Sequence, residues 1–329
     1  MMSHSISGLL QSLTRQASGG PPSTLEPAGP AAESIARLGV GMIVAAAFVF
    51  AVVMILLVWP LVRTPAASDE TPHIVDERRL EFRWIMMGGA VIPMLILAGI
   101  FAFSLGVMRT ESQPSSPYEV EVVGHQWWWE VRYPSDSVTT ANEIHIPVGR
   151  AVRIHVSSTD VIHSFWVPQL QGKTDAITGQ VNETWLQADR AGVYRGECAE
   201  FCGVQHAHMS FVVVADAPAE YDAWMANQKR SAAAPADSSA LSGQKVFLTQ
   251  SCSYCHAVRG TSAGARIGPD LTHLGTRRTL ASGTMDNTAV NLAAWIENPD
   301  RLKPGTKMPS VTLDRASMRA LVAYLETLR

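Results

Sequence analysis

Two long runs of uncharged, mainly apolar residues lie in the first third of the 329-residue chain. The first covers residues 40–62, and the second covers residues 84–107 and ends just before Arg109. A helix of about 20 apolar residues is long enough to span the hydrocarbon core of a bilayer. Pro93 lies inside the second run, where a membrane helix tolerates proline better than a soluble helix does. The pattern therefore predicts a transmembrane helix hairpin over residues 40–109.

Basic residues flank these two predicted spans unequally. The connecting loop carries four arginines and the segment before the first span carries two, namely Arg63, Arg78, Arg79 and Arg83 against Arg15 and Arg37. Lys and Arg are concentrated on the cytoplasmic side of short membrane loops. We therefore expect the loop in the cytoplasm, and the N-terminus and everything after Arg109 on the outer face.

The pattern changes to short segments of alternating or β-branched residues between residues 118 and 216, separated by Gly, Pro, Asp and Asn. A period of two predicts strands. About seven short strands in about 100 residues are typical of a β-sandwich or barrel. The segment 118–216 is therefore predicted to form an all-β domain.

Composition separates the remaining segments. Residues 1–39 are rich in Ser, Pro, Gly and Ala, which predicts a flexible N-terminal arm. Residues 217–240 are rich in Ala, Pro, Ser and Asp, which predicts a flexible linker. Residues 241–329 end in a segment whose apolar positions recur at helical spacing, and this last domain is predicted to be all-α.

Overall composition excludes several classes of protein. A chain with 47% hydrophobic and 17% charged residues is too apolar to be disordered. Its net charge of −3 argues against a nucleic-acid partner, and four cysteines are too few for a disulfide-rich scaffold. However, residues 118–216 carry a net charge of −6 and residues 241–329 carry +5. These blocks could dock on each other, or they could be two solvated surfaces of unlike composition.

Four residues with soft or borderline metal donors lie within 12 positions, namely Cys198, Cys202, His206 and Met209. Thiolate, imidazole and thioether groups suit copper better than calcium or magnesium. Two thiolates could bridge two copper ions, and a second imidazole would then have to come from a distant loop. His163 is the best candidate for that imidazole.

Two other arrangements of the same residues are open. Cys198, Cys202, His206 and His208 could form a structural zinc site. The two cysteines could instead form a disulfide bond in an oxidising compartment.

The segment 196–209, Gly-Glu-Cys-Ala-Glu-Phe-Cys-Gly-Val-Gln-His-Ala-His-Met, resembles the binuclear CuA loop of cytochrome c oxidase subunit II. The two predicted spans match that family's hairpin. The resemblance implies a cupredoxin-like sandwich for residues 118–216. It also implies a CuA ligand set, which comprises His163, Cys198, the backbone carbonyl of Glu200, Cys202, His206 and Met209. By the same resemblance, the Glu200 carboxylate contributes to a magnesium site shared with subunit I.

The same resemblance suggests roles for residues outside the copper loop. Residues 124–129, Gly-His-Gln-Trp-Trp-Trp, resemble the family's aromatic cluster, in which Trp127 matches the electron-entry tryptophan. We expect at least Trp128 to belong to the buried aromatic face of a strand. Residues 173–177, which include Asp175, match the segment that lies against subunit I. Glu81 resembles the acid at the mouth of a proton-uptake path, or is a solvated charge near a helix start.

A second motif, Cys252-Ser-Tyr-Cys255-His256, is the attachment signature of c-type haem. The two thiols can add across the haem vinyl groups, and His256 can supply one axial ligand of the iron. The sixth ligand would come from Met308, in the Pro/Gly-rich segment 303–309, or from the rival His273. Residues 241–329 resemble a small class I cytochrome c, with residues 267–271 packing on the proximal face.

Together the two resemblances identify the chain as similar to subunit II of caa-type oxidases, which carries its own cytochrome c. They imply passage of electrons from an external donor, such as a soluble or membrane cytochrome c, through haem c and CuA to subunit I. They also imply a bacterial inner membrane location with both redox domains outside, and subunit III as a further partner. Rival functions are the CuA-bearing subunit of a nitric oxide reductase and a non-catalytic membrane-bound electron shuttle.

Overall fold

The computed structural model describes residues 23–63, 74–110 and 114–329. The chain divides into two compact units, one formed by Glu33–Ser112 and the other by Met1–Ala32 together with Gln113–Arg329. Residues 1–22, more than half of the predicted N-terminal arm, lie outside the described residues.

The first unit contains two long apolar helices. Helix α1 spans Pro30–Val62 and begins ten residues before the predicted membrane span, so part of the predicted arm is helical. The second helix consists of α2 (Ile74–Met86), a π-helical turn (Met87–Val91) and α3 (Ile92–Thr110). Both are long and apolar enough to cross a membrane, and among the described residues their most apolar windows contain no buried residue. Such exposure fits helices whose surroundings are lipid.

The π-helical turn has a local cause in the sequence. Ile92 donates its backbone N–H to the carbonyl of Met87, five residues back instead of four. The next residue, Pro93, has no N–H to donate to the carbonyl of Gly89, and its ring crowds the preceding turn. A wider turn before the proline accommodates the ring without ending the helix.

Ten strands form a sandwich of two five-stranded sheets in the second unit. They are β1 (Glu119–His125), β2 (Trp128–Tyr133), β3 (Val138–Ala141), β4 (Glu143–Pro147), β5 (Val152–Ser158), β6 (His163–Trp166), β7 (Thr174–Ala176), β8 (Asn182–Leu186), β9 (Gly192–Cys198) and β10 (Ser210–Asp216). One sheet has the order β3-β2-β1-β5-β8 and the other β4-β10-β9-β6-β7. The pairs β1–β5 and β4–β10 are parallel, and the other pairs are antiparallel.

The sandwich core follows from the alternation in the sequence. Strand β5 alternates buried and partly exposed residues along its whole length, which places Val152, Ile154 and Val156 in the core. The sequence predicts the all-β class correctly but predicts fewer strands than the ten observed. Strands of three or four residues, such as β3 and β7, are too short to show an alternation.

The segment 217–240 differs from the flexible linker predicted there, because most of its first half is helix α4 (Pro218–Gln228). Tyr221 and Met225 of α4 are buried in the sandwich core. Trp224 stacks on His145, with ring centroids 4.0 Å apart and planes 11° apart. These aromatic contacts fix the helix on the copper-loop domain despite the linker-like composition around it.

The C-terminal domain is helical, as predicted. Its helices are α5 (Ser238–Thr249), α6 (Ala289–Glu297), α7 (Pro299–Leu302) and α8 (Arg315–Thr327), with a two-stranded hairpin, β11 (Thr279–Leu280) and β12 (Met285–Asp286). Helices α5 and α8 cross closely at Gly243, where an added Cβ would overlap the carbonyl oxygen of Ala320. A residue without a side chain is therefore required at this crossing.

Candidate copper and haem sites

The predicted copper-binding residues converge at one end of the second sheet. His163 is the first residue of β6, and Cys198 is the last residue of β9. The loop after β9 returns to β10, and its base is closed by a hydrogen bond from the Cys198 N–H to the carbonyl of Met209 at 3.0 Å. The sheet therefore brings His163 next to a loop that lies 35 residues later in the chain.

Two thiols and two imidazoles form the centre of this group. The sulfurs of Cys198 and Cys202 lie 3.8 Å apart. Nδ1 of His163 lies 3.8 Å from the Cys198 sulfur, and Nδ1 of His206 lies 3.7 Å from the Cys202 sulfur. Each thiol thus has one imidazole nitrogen of its own, and His163, Cys198 and Cys202 are all buried.

Two weaker donors complete the group, one beside each thiol. The carbonyl oxygen of Glu200 lies 3.2 Å from the sulfur of Cys198. The thioether sulfur of Met209 lies 3.8 Å from the sulfur of Cys202. All six predicted donors therefore lie together, and they combine the soft and borderline groups that copper prefers.

The geometry disfavours the two alternatives for these cysteines. A sulfur separation of 3.8 Å is far longer than the roughly 2.05 Å of a disulfide bond, and both cysteines are free. His208, needed for the zinc arrangement, is exposed, and its Nδ1 contacts Oε1 of Gln205 at 2.7 Å. The zinc arrangement takes its second imidazole from His208, but in the structure the imidazole next to Cys198 belongs to His163.

The electrostatics of the group favour a thiolate. The hydrogen bond between the two thiols lowers the pKa of Cys198 and raises that of Cys202, so one of the pair is the thiolate. The His163 ring also lowers the pKa of Cys198, whereas burial opposes the shift. Burial opposes protonation of His163, but its contacts with Cys198 and Asp160 outweigh burial and raise its pKa. Metal binding requires a deprotonated thiol, so this environment prepares Cys198 for that role.

The aromatic cluster contacts the copper loop directly. The indole Nε1 of Trp127 donates to the carbonyl oxygen of Cys202 at 2.9 Å. Gly203 has a φ of +114°, and a Cβ there would lie 3.0 Å from the Trp127 ring. Both the backbone conformation and the close contact with the ring therefore favour glycine at this position. The expectation that Trp128 is buried is wrong: Trp128 is half-buried and stacks on His125, whereas Trp129 is completely buried.

The haem motif forms one tight turn. The backbone N–H groups of Cys255 and His256 both donate to the carbonyl of Cys252. Nδ1 of His256 donates to the carbonyl of Pro269 at 2.8 Å, which orients the ring and leaves Nε2 available. Gly268 packs closely against the His256 ring, because a Cβ there would lie 2.7 Å from Cε1 of that ring. Residues 267–271 thus pack on His256, as predicted.

The two candidates for the sixth haem ligand have different surroundings. Met308 is half-buried and packs against the core of the helical domain. His273 is buried, and its Nε2 contacts the carbonyl of Arg230 at 3.1 Å. Nε2 of His273 is therefore engaged with the backbone of the segment before α5, whereas its Nδ1 is buried without a hydrogen-bond partner among the described residues.

Two loops of the helical domain lie against the copper loop. In the segment that contains Met308, Lys303 donates to the carbonyl of Trp127, and Lys307 pairs with Asp160 at 3.5 Å. In the turn after β11, Ser282 exchanges hydrogen bonds with Ser210 through its side chain and carbonyl. The basic and acidic blocks therefore do touch, but most of these contacts are hydrogen bonds to backbone groups.

Three acids singled out in the sequence have exposed side chains. Glu81 is exposed on α2, and the carboxylates of Asp175 and Glu200 are exposed on the β-domain.

Sequence reasoning missed several residues around the copper loop. Oδ1 of Asp160 lies 2.9 Å from Nε2 of His163. The only feature of the sequence that points to this contact is that Asp160 precedes His163 by three residues. Gln126 donates to the carbonyl of Cys202, and Gln205 donates to the carbonyl of Pro304. Lys303 lies in the Met308 segment, residues 303–309, but no pattern in that segment predicts that its side chain is buried.

Comparisons with known proteins agree with these features. Residues 136–216 match the family described as cytochrome c oxidase subunit II, periplasmic domain, and residues 240–329 match the cytochrome c family. Cytochrome c oxidase subunit 2 of Alkalihalophilus pseudofirmus is 37% identical over 93% of this chain and 90% of the relative. That of Bacillus subtilis is 31% identical over 93% of this chain and 92% of the relative.

A solved structure is also similar, that of the periplasmic domain of subunit II of cytochrome oxidase from Bradyrhizobium japonicum. It is 31% identical, covers 36% of this chain and 96% of its own, and has a TM-score of 0.35. In this chain, the domain that matches subunit II is followed by a cytochrome c domain. Because relatives match along nearly its whole length, the chain belongs to the cytochrome c oxidase subunit 2 family.

Proposed function

We propose that this chain is the electron-entry subunit of a haem–copper terminal oxidase. An external donor reduces a haem attached to Cys252 and Cys255, electrons pass to a copper centre at Cys198 and Cys202, and subunit I receives them for reduction of oxygen to water. The observation that carries the proposal is the contact between the Met308 segment and the copper loop. It brings the two redox sites of one chain together in a single unit.

The donor set supports a binuclear copper centre. Each thiol has one imidazole and one weak donor beside it, so these residues would offer two copper ions comparable sets of ligands. Copper held in this way supplies one-electron redox chemistry, and burial and hydrogen bonds to the ligands tune its potential. The residues that hold it are His163, Cys198, Glu200 through its carbonyl, Cys202, His206 and Met209.

The haem domain supports ligation by His256 and Met308. The hydrogen bond from Nδ1 to Pro269 leaves Nε2 of His256 as the free ring nitrogen. His273 is a weaker candidate for the opposite side, because its Nε2 already contacts the carbonyl of Arg230. A thioether ligand raises the potential of a haem iron.

Further features of the proposal concern the complex. The exposed carboxylate of Glu200 is available for a magnesium ion shared with subunit I, and exposed Asp175 for contact with that subunit. Trp127 is the entry residue next to the copper loop, and Glu81 lies on the proton-uptake path. Subunit III is a further partner. The chain passes twice through a bacterial inner membrane, with the N-terminus and both redox domains on the outer face, as the arginine distribution indicates.

The test is purification of the complex with the full chain, followed by metal analysis, optical and EPR spectra, and turnover with oxygen and with nitric oxide. We expect two copper ions with a mixed-valence signal, one covalent haem and oxygen consumption. Zinc in place of copper, or the absence of the mixed-valence signal, would contradict the copper assignment. Turnover of nitric oxide without oxygen consumption would select the reductase.

A further inference from the structure

Lys303 occupies an unusual position for a lysine. Its side chain belongs to the helical domain but only 2% of the residue is exposed. The ammonium donates to the carbonyl of Trp127 at 2.8 Å and to the carbonyl of Ala281 at 3.2 Å. Lysines are seldom fully buried, because moving the charge out of water is costly. Two neutral carbonyl oxygens compensate this cost less well than a carboxylate would.

The two acceptors lie in different parts of the molecule. Ala281 is in the turn after β11 of the helical domain, and Trp127 joins β1 to β2 in the sandwich. Lys303 thus connects its own segment, the 281–283 turn and the aromatic cluster of the copper domain. Burial lowers the pKa of Lys303 to about 7, but its amino group can donate hydrogen bonds in either protonation state. A single buried donor at the junction of three segments fixes their mutual arrangement more narrowly than apolar packing would.

Each contact around Lys303 is next to a predicted copper-binding residue. The indole of Trp127 donates to the carbonyl of Cys202. Gln205, which donates to Pro304 at 2.6 Å, precedes His206. Ser210, the partner of Ser282, follows Met209. The helical domain therefore contacts the copper loop and its end directly at Gln205 and Ser210, and reaches Cys202 indirectly, through Lys303 and Trp127. Lys303 lies in the same segment as Met308.

We propose that Lys303 is a positioning residue for electron transfer between the two redox sites of this chain. Its ammonium fixes the Met308 segment on the Trp127 carbonyl, and so holds the haem domain at the one distance and orientation from the copper loop at which transfer is fast. This inference rests on the proposed function. It requires that haem c and copper are both bound and exchange electrons.

The test uses the full chain in its purified complex, with electrons injected into the haem by a laser-activated ruthenium reductant. In the K303M variant, the apolar stem is kept and both hydrogen bonds are lost. We expect haem-to-copper transfer to slow at least tenfold, with the haem and copper spectra unchanged and by more than any measured change in the two potentials accounts for. The matched control is Lys245→Met, the same change at an exposed position of the helical domain, which should leave the rate unchanged.

A distance measurement separates positioning from other roles. In the oxidised complex, the spin coupling between the haem iron and the copper centre, measured by pulsed EPR relaxation, reports the distance between the two centres and how widely it varies. Wild type and Lys245→Met should show one narrow distance distribution. K303M should show a broader one, because the contact with the Trp127 carbonyl is lost.

The possible outcomes are distinguishable. A K303M rate within twofold of wild type overturns the proposal, and so does a slowed rate with an unchanged distance distribution. If the wild-type complex binds both cofactors but moves no electrons between them, the proposed function fails, whatever Lys303 does. Loss of copper or haem from K303M alone would also overturn the proposal, since a positioning residue leaves both centres intact.

Discussion

Asp160 and His163 form a close pair at the edge of the predicted copper site. Oδ1 of Asp160 lies 2.9 Å from Nε2 of His163, while Nδ1 of the same ring faces the sulfur of Cys198. The carboxylate therefore fixes the tautomer in which Nε2 carries the proton and Nδ1 is free for a metal. The other oxygen of Asp160 accepts the backbone N–H of Gln126 at 2.7 Å, which holds the carboxylate in place.

This pair predicts the effect of Asp160→Asn on copper affinity. Loss of the carboxylate should weaken copper binding by roughly 10–100-fold, as is usual for outer partners of metal-binding histidines. Competition with a chelator, followed through the copper absorption bands, measures the change. Lys307→Met is the control, because it removes the 3.5 Å ion pair with Asp160 but leaves the bond to His163. Equal affinities of Asp160→Asn and wild type would contradict the orienting role.

Substitutions at the two candidate sixth ligands of the haem should have opposite consequences. In Met308→Ala, the haem should stay covalently attached to Cys252 and Cys255, but its low-spin spectrum should change and its potential should fall. His273→Ala should leave the spectrum unaltered, because His273 contacts the carbonyl of Arg230. Optical and EPR spectra of the two variants decide the point. A normal spectrum in Met308→Ala, with loss of the low-spin form in His273→Ala, would reverse the assignment.

The close crossing of helices α5 and α8 makes Gly243 sensitive to the smallest side chain. Alanine favours a helix by about 1 kcal/mol over glycine. The overlap with the carbonyl of Ala320 should outweigh this gain, so that Gly243→Ala destabilises the haem domain by about 1–3 kcal/mol. Thermal unfolding followed by haem absorbance is the measurement. Gly264→Ala, where no atom lies within 4 Å of the added Cβ, is the control and should shift stability by less than about 0.5 kcal/mol.

The sequence predicts most donors of the two candidate sites because their residues lie close together in the chain. Cysteines four and three residues apart, followed closely by His, place their donor atoms together in almost any compact loop. His163 lies outside the copper loop, and the sequence offers it only as the best candidate for a second imidazole. The register of β6 against β9 explains its position, because Phe165 lies opposite Cys198. Two residues earlier on β6, the His163 side chain lies on the same face.

The features that the sequence did not reveal arise from contacts between distant segments. A run of three tryptophans contains no alternation of polar and apolar residues. It therefore could not show that Trp129 is buried and Trp128 is half-buried. The composition of residues 217–240 could not show that Tyr221 and Met225 complete the sandwich core. Lys303 looks like a solvated charge in sequence, because its burial depends on a carbonyl 176 residues away.

Glu130, on β2 next to the buried Trp129, is an acid whose charge stabilises the fold. Burial raises its pKa, but the hydrogen bonds from His125 and Arg132 outweigh burial and lower it to about 2 from an ordinary 4.5. Because the folded-state pKa is depressed, the stabilisation is fully present above pH 4.5 and is lost as the pH falls towards 2. Glu130→Gln should therefore destabilise the β-domain by about 2–3 kcal/mol at pH 7.

The pH dependence distinguishes this charge effect from a simple loss of packing. The stability gap between wild type and Glu130→Gln should stay constant from pH 7 to about pH 5 and close progressively below pH 4.5. Denaturant unfolding of the detergent-solubilised full chain, followed by tryptophan fluorescence at several pH values, measures the gap. Glu121→Gln is a matched control, because Glu121 pairs with the same Arg132 but is much more exposed, and its gap should stay below about 1 kcal/mol. A gap for Glu130→Gln that is the same at pH 3 and pH 7 would show that packing, and not the carboxylate charge, accounts for the loss.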